Sequence, residues 1–469
     1  MTHSAHHFRP LLWLVAMAFF MQALDSTIVN TALPAMAASL GESPLRMQSV
    51  IIAYMLTMAT VIPASGWLAD RVGTRRTFFS AIFLFTLGSV CCAAAHTLNQ
   101  LVAARVLQGL GGAMLLPVGR LTVLRALPRE LFLPAMSFIT VPGLLGPLIG
   151  PTLGGWLVQW ASWHWIFLIN VPIGLVGGIV ALRVMPDLRR DPGRFDLSGY
   201  LQLAAGMVAL SIAMDGLAER GLHQATVLVL LLFGLAAICA YWLHAGSRPD
   251  PLFNLDLFRI PSFRVGVLGN LFSRIGSGSM PFLLPLLLQL SLGYSPAQSG
   301  MTLIPVALAA MSVKRITTPL IRHFGYRHIL VGNTLLVGLL MASFALCSNQ
   351  EPLWLRLLQL ACLGAANSMQ FTAMNTLALK DMDERLASSG NSLLSMVMML
   401  SMSLAVACAG TLLLGFSQFL GSTHDRLPAF HATFVSMGLI TCCAAWIFWQ
   451  LPADEPGAGK APLAAIADD

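Results

Sequence analysis

Long apolar runs, separated by short clusters of charged residues, glycine and proline, occupy almost the whole chain. Runs of spanning length lie at about residues 11–33, 48–68, 77–95, 98–118, 131–155, 164–185 and 197–216. They continue at about 224–243, 264–290, 297–319, 329–347, 353–379, 391–416 and 430–451. Each matches the roughly 20 residues that an α-helix needs to cross a bilayer core. The pattern predicts an all-α, polytopic membrane protein of fourteen transmembrane helices. Two six-helix halves with an inserted helix pair are expected, because the longest loops on one side, about 186–196 and 244–263, bracket spans seven and eight. The expected units are residues 1–185 (first half), 186–263 (linker with two extra helices), 264–452 (second half) and 453–469 (tail).

An internal echo supports duplication. Gly73-Thr74-Arg75 after span two is matched by Gly325-Tyr326-Arg327 after span ten, and Arg105-Val106-Leu107-Gln108 by Arg356-Leu357-Leu358-Gln359. Duplicated halves are a common way of building transporters.

Composition sharpens this picture. The 469 residues are 57% hydrophobic and only 10% charged, far from the roughly 25% charged residues of soluble domains. Disordered, collagen-like and disulfide-rich secreted classes are excluded. The net charge of +7 would suggest an acidic partner in a soluble protein. Here it is explained by the preference for basic loops on the cytoplasmic side, and no nucleic-acid partner is expected. With the N-terminus inside, inside segments hold 21 Lys and Arg residues and outside segments four: Arg46, Arg220, Arg356 and Arg426. Both termini are therefore expected in the cytoplasm. The run after Arg9 is too long for a signal-peptide core and reads as an uncleaved first span. The eight cysteines sit in apolar runs without CxxC spacing, so they read as small core residues rather than metal or redox sites. No phosphate-cradling loop, GxSxG or HExxH occurs, so neither an enzyme nor a bound cofactor or metal is expected.

The loop after span two reads Gly66-Trp-Leu-Ala-Asp70-Arg71-Val-Gly73-Thr-Arg75-Arg76. One carboxylate and three guanidinium groups at a tight turn can form an ion-pair network that breaks and reforms between two conformations. This string resembles the cytoplasmic-loop signature of the major facilitator superfamily. Other stretches resemble motifs of its fourteen-span drug:proton antiporter branch: Leu24-Asp25 to Pro34, Arg105 to Gly112, Gly146-Pro147-Leu-Ile-Gly150-Pro151-Thr-Leu-Gly154-Gly155, Ser162 to Pro172, and Phe195 to Gly199. There are two departures from the family pattern. His164 stands where the family usually has Arg, and the second-half copy of the loop signature has Arg322 in place of its Asp. The resemblance implies a bacterial inner-membrane exporter of lipophilic small molecules driven by protons, working as a monomer. It assigns Gly66, Asp70, Arg71, Gly73 and Arg76 to a cytoplasmic gate, and Gly146, Pro147, Gly150, Pro151, Gly154 and Gly155 to an antiporter motif that hinges or seals helices.

A carboxylate inside a span is costly and marks a functional site by default. Asp25 shares an arc of roughly 140° with Gln22, Ser26, Val29 and Asn30, a polar stripe facing the bundle. Burial favours the neutral acid and a nearby cation the carboxylate, so such a group can load and release a proton. A purely structural Asp is the other reading. Helix rise places Asp25 and Arg105 at similar depths, each in the outer third. They are the expected proton-coupling pair, with snorkelling of Arg105 as the competing reading. Gln108 follows Arg105 by one turn, and Gln22, Asn30 and Gln108 are assigned to the substrate cavity.

In span nine, Asn270, Ser273, Arg274 and Ser277 share a face of about 100° near mid-bilayer. Asn270, Arg274 and Ser277 complete the candidate cavity, with a structural salt bridge of Arg274 as the alternative. Lys314 and Arg315 read as snorkelling to the inner face. One deep acid against two deep guanidiniums makes a net-positive cavity. Beside the multidrug reading stands a second: export of an anionic metabolite, such as a carboxylate or metal chelate. A membrane sensor without transport would need a soluble signalling domain.

Overall fold

The computed structural model describes residues 2–191, 193–216, 224–348, 350–382, 384–420 and 426–452. The expected tail at 453–469 lies outside them. Every regular element among the described residues is helical. The first are α1 (Thr2–Leu40), α2 (Gln48–Val72), α3 (Thr74–Ala93), α4 (Leu98–Ala126), α5 (Arg129–Trp160), α6 (Trp165–Leu168) and α7 (Asn170–Val184). Then come α8 (Leu197–Gly216), α9 (Gln224–Gly246), α10 (Pro261–Ser277), α11 (Met280–Leu286), α12 (Pro296–Thr302) and α13 (Ile304–Ser343). The chain continues through α14 (Leu353–Leu379), α15 (Glu384–Phe419), α16 (Leu427–Cys443) and α17 (Ala445–Trp449).

Twelve described segments are long and apolar enough to cross a membrane, so the expected fourteen is not reproduced as a count. Two features account for the difference. Pro296–Leu346 forms one segment of 51 residues, yet its backbone breaks at Gly325, which has φ 76° and ψ 162°. Leu353–Leu379 is a 27-residue helix outside the twelve, its apolarity diluted by Arg356, Gln359, Asn367, Gln370 and Asn375.

Local chemistry sets the helix ends. Gly73, with φ 104°, turns the chain between α2 and α3 in a conformation that side chains rarely adopt. Gly73 and Gly325 are the two glycines of the internal echo, and both take positive φ. Thr97 caps α4 by accepting from the Gln100 N–H at 3.3 Å. Ser295 and Gln298 form a reciprocal capping box with Pro296 at the first turn of α12.

The helices pack in two groups. In one, α1 lies against α4, α5 and α7, while α3 and α4 pack together and α2 on α4. In the other, α13 packs on α14 and α16, and α10 on α14, α15 and α16. Contacts of α2 with α15, α5 with α12, and α1 with α11 join them. The paired α8 and α9 attach through α8 to α2 and α15. Leu228, Val229, Leu232 and Leu243 of α9 are exposed, a surface that lipid rather than water suits.

Asp196 anchors the inserted pair. It accepts from the Gly199 and Leu252 N–H groups at 3.0 and 3.2 Å and pairs with His244 Nε2 at 2.8 Å. Burial alone would raise its pKa, but the His244 hydrogen bond and the two N–H donors outweigh burial and hold it below the usual value.

Candidate functional site: a buried carboxylate–guanidinium cluster

Asp25 of α1 and Arg105 of α4, separated by 80 residues, meet inside the bundle. Arg105 Nη1 donates to Asp25 Oδ2 at 2.7 Å, with the side chains 1% and 0% exposed. The competing reading, a snorkelling Arg105, does not describe this geometry. Arg105 Nη1 also donates to Gln108 Oε1 at 2.7 Å, and its Nε to the Val50 carbonyl at 3.3 Å. Tyr54 of α2 stacks on the guanidinium, 4.1 Å from ring centroid to Cζ, a cation–π contact that adds to the charge pairing.

Amides hold the other carboxylate oxygen. Gln108 Nε2 donates to Asp25 Oδ1 at 2.8 Å and to Ser89 Oγ at 2.8 Å. Asn170, at the start of α7, donates through Nδ2 to Asp25 Oδ1 at 3.2 Å and towards Ser89 Oγ at 3.4 Å. Asn170, Ser89 and Gln108 are all fully buried. Gln108 therefore lies in the ion-pair cluster, whereas Gln22 and Asn30 stand apart from it. Gln22 Nε2 reaches Met58 Sδ at 3.9 Å, and Asn30 bonds its own helix at the Ser26 carbonyl, 3.4 Å away. Ser89 and Tyr54 had no signal as site residues, since hydroxyl and phenol groups are ordinary inside helices. Asn170 lay inside the Ser162 to Pro172 stretch that resembles a family motif, but nothing in that resemblance pointed it at Asp25.

The proposed gate residues are arranged differently from the sequence expectation. Asp70 pairs with Arg125 of α4 at 2.5 Å rather than with its neighbours. Arg71 lies over the Trp67 ring at 5.0 Å, Arg75 Nε donates to the Met185 carbonyl at 2.5 Å, and Arg76 is exposed. Successive helical residues point in different directions, so Asp70 and Arg71 cannot both face α4. Gly66 sits in the last turns of α2, and Gly73 forms the turn after it.

The glycines of α5 press against α1. A Cβ on Gly146 would lie 2.7 Å from backbone atoms of Ala23 and Leu24, and one on Gly154 2.6 Å from the Ile28 carbonyl oxygen. Gly150 faces Thr27, whose hydroxyl reaches the Gly146 carbonyl at 3.4 Å. Gly155 abuts Pro296 of α12, and Gly300 abuts Pro151. Pro147 and Pro151 lie inside this same helix. Nearby, Gln289 Nε2 donates to the Thr31 carbonyl at 2.9 Å, and Gln159 accepts from the Ala297 N–H at 3.2 Å. The two helix groups thus touch at the end of the bundle opposite Asp70.

Arg274 is half-buried on α10. Its Nε donates to Asn270 Oδ1 at 3.0 Å, its guanidinium lies 4.6 Å from the Phe371 ring, and its Nη2 is buried without a hydrogen-bond partner. Ser277 bonds the Ser273 carbonyl at 3.0 Å. Arg356, assigned from sequence to an outside segment, is buried. It donates to Tyr294 Oη at 2.6 Å and the Ser348 carbonyl at 2.8 Å, and approaches Glu351 at 3.4 Å. Gln359, one turn on, donates to Ser343 Oγ at 2.6 Å, much as Gln108 donates to Ser89.

A bundle of helices long and apolar enough to cross a membrane, around a buried ion pair and a half-buried guanidinium, fits the class of multi-pass membrane transporters. The chain belongs to the Major Facilitator Superfamily, whose profile matches residues 15–406. It is 51% identical over 465 residues to the "Putative multidrug resistance protein MdtD" of Serratia proteamaculans, covering 96% of this chain and 97% of the relative. It is 52% identical over 450 residues to the protein of the same description from Yersinia enterocolitica, covering 95% and 96%. Among solved structures, a D-xylose-proton symporter superposes with a TM-score of 0.68 at 14% identity, covering 97% of this chain and 99% of the symporter. The human organic anion transporter MFSD10 does so with a TM-score of 0.60 at 15% identity, covering 94% and 99%. At these identities the structural likeness concerns the fold alone.

Proposed function

We propose that this transporter is a proton-coupled antiporter that exports small molecules of the multidrug type by alternating access. The observation that carries the reading is Asp25. It is a fully buried carboxylate whose two oxygens are held by groups from α3, α4 and α7 through direct or shared hydrogen bonds. Protonating it removes the counter-charge of Arg105, and an uncompensated buried charge costs about 3–5 kcal/mol. Proton loading is thereby tied to a rearrangement of helices. In this reading the chain crosses the bilayer fourteen times, with the long segment turning at Gly325 and α14 crossing as well. Two six-helix halves then flank the inserted pair, and both termini are cytoplasmic. Asp70 pairs with Arg125 inside the first helix group at the cytoplasmic gate in this state, and the glycine face of α5 is the hinge beside α1. The contacts of α1 and α5 with α11 and α12 close the periplasmic end, as in an inward-facing state. The transporter acts as a monomer in the inner membrane.

The test uses everted membrane vesicles and a panel of dyes, drugs and organic anions, with the pH gradient as readout. Asp25→Asn is expected to insert normally and to lose substrate-induced dissipation of the gradient. Dissipation at the wild-type rate would remove Asp25 from the coupling step.

One observation favours a second reading, export of an anion. The buried Nη2 of Arg274 has no partner, and its neighbours Asn270 and Phe371 are neutral. A substrate carboxylate would satisfy it in the fork geometry that guanidinium favours. Arg274→Ala is then expected to abolish transport of an anionic substrate, and Arg274→Lys to weaken it. Robust export of a permanently cationic dye, unaffected by Arg274→Ala, would restore the ordinary multidrug reading.

A further inference from the structure

A buried carboxylate that gains a proton also gains a donor, and that donor needs an acceptor. Arg105 cannot supply one, because a guanidinium only donates. A proton on Oδ2, where Arg105 Nη1 sits at 2.7 Å, would set one donor against another. On Oδ1 the present partners are also donors, the amide nitrogens of Gln108 and Asn170. One of these amides must turn for a protonated Asp25 to keep a hydrogen bond there.

The two amides are not equally free. Gln108 is engaged at both ends: Oε1 accepts from Arg105 at 2.7 Å and from the Cys92 thiol at 3.7 Å, while Nε2 serves Asp25 and Ser89 at 2.8 Å each. Turning it would point its NH2 at the guanidinium. Asn170 is engaged through Nδ2 alone, and its Oδ1 is buried with no partner. Turning Asn170 gives up two long contacts, of 3.2 and 3.4 Å. It brings an acceptor to Asp25, and the Ser89 hydroxyl can rotate to donate to that same oxygen.

We propose that Asn170 is a positioning residue that serves both protonation states of Asp25, donating to the carboxylate and, after its amide turns, accepting from the acid. An O–H bond of a hydronium ion breaks as the Asp25 Oδ1–H bond forms, leaving water; no other covalent bond changes, and the positive charge remains on Arg105. Besides Arg105 of α4, the ionisable side chains facing Asp25 are Tyr54 of α2 and Cys92 of α3. Among the other neighbours of α1, α7 presents the Asn170 amide, α5 its glycine face, and α6, α11 and α12 contain no titratable residue. This proposal rests on Asp25 as the proton carrier.

Infrared difference spectroscopy of the full chain in lipid, acid minus neutral pH, tests both without a substrate. Isotope-labelled asparagine marks the amide carbonyls. The expected spectrum has a carboxylic-acid band that disappears in Asp25→Asn. It also has a downshifted asparagine carbonyl band that appears with the acid band and disappears in both Asp25→Asn and Asn170→Leu. In Asn170→Leu the acid band itself should move to higher frequency, and in Asn170→Ser, which can still accept, it should return towards its wild-type position. An acid band without any shift of an asparagine carbonyl in the wild-type protein would overturn the role of Asn170, whether or not the variants fold. Absence of an Asp25 acid band at any pH would instead overturn the reading of Asp25 beneath it.

Discussion

Four buried or half-buried guanidiniums illustrate how context decides what a charge is for. Arg105, Arg125 and Arg356 each have a carboxylate within 3.4 Å, whereas Arg274 is matched only to an amide and an aromatic face. Paired charges hold a conformation together, and an unpaired one awaits a ligand or a different state. The Asp70–Arg125 pair is partly accessible, at 21% and 11% exposure, so its loss should change populations more than folding. Asp70→Ala is expected to shift the balance of the two access states by about 0.5–2 kcal/mol, the range between surface and buried pairs. Arg125→Ala should shift it in the same direction. Cysteine accessibility measured from both faces of the membrane checks this, and unchanged labelling in either variant would count against a role of the pair in the gate. Asp70 was legible in its motif. Its partner was not, because Arg125 lies 55 positions away in the basic last turn of α4, where any arginine looks alike.

At the scale of elements, α1 and α5 form the most intimate helix pair around the site. Glycines one turn apart let two backbones approach where any side chain would intervene. A Cβ at Gly146 would meet backbone, which cannot yield as a flexible side chain can. Gly146→Leu should therefore separate the helices and displace Asp25, with a stability cost of about 1–3 kcal/mol for overpacking. Gly150→Ala meets the Thr27 side chain instead, and should be the milder change. Thermal unfolding of the purified variants, ranked Gly146→Leu below Gly150→Ala below wild type, is the expected outcome. The glycine stripe was readable from its helical spacing, but the helix it faces was not, because periodicity reports which residues share a face and leaves the neighbour open.

Across the whole molecule, the inserted pair is tied more closely to the second helix group than to the first. Ser211 of α8 meets Ser403 of α15 at 3.0 Å, and Thr411 of α15 donates to the Met214 carbonyl at 3.0 Å. Leu203, Met207 and Tyr241 share an apolar cluster with Phe263, Val267 and Leu393. A polar link towards α2 joins Gln48 to Asp215, at 2.7 Å. If α8 moves with α15 and slides on α2, a disulfide between Ser211→Cys and Ser403→Cys should leave vesicle transport largely intact. One between Gln48→Cys and Asp215→Cys should stop it until reduced. The reverse pattern would place the inserted pair with the first group.

The sequence alone made legible the helical, membrane-embedded class, the family and the turn glycines at 73 and 325, and it made Arg105 the expected partner of Asp25 with a snorkelling Arg105 as the alternative. These follow from local patterns, or from charges so costly in an apolar run that few partners are available. Tertiary structure alone decided that Gln108 belongs to the ion pair, that Asn170, Ser89 and Tyr54 complete the cluster, that Arg125 takes Asp70, and that Arg356 is buried against Tyr294, Ser348 and Glu351. Such neutral or common partners are chosen by the rotation and depth at which distant helices dock. A small turn of one helix exchanges one polar neighbour for another without changing any feature visible along the chain.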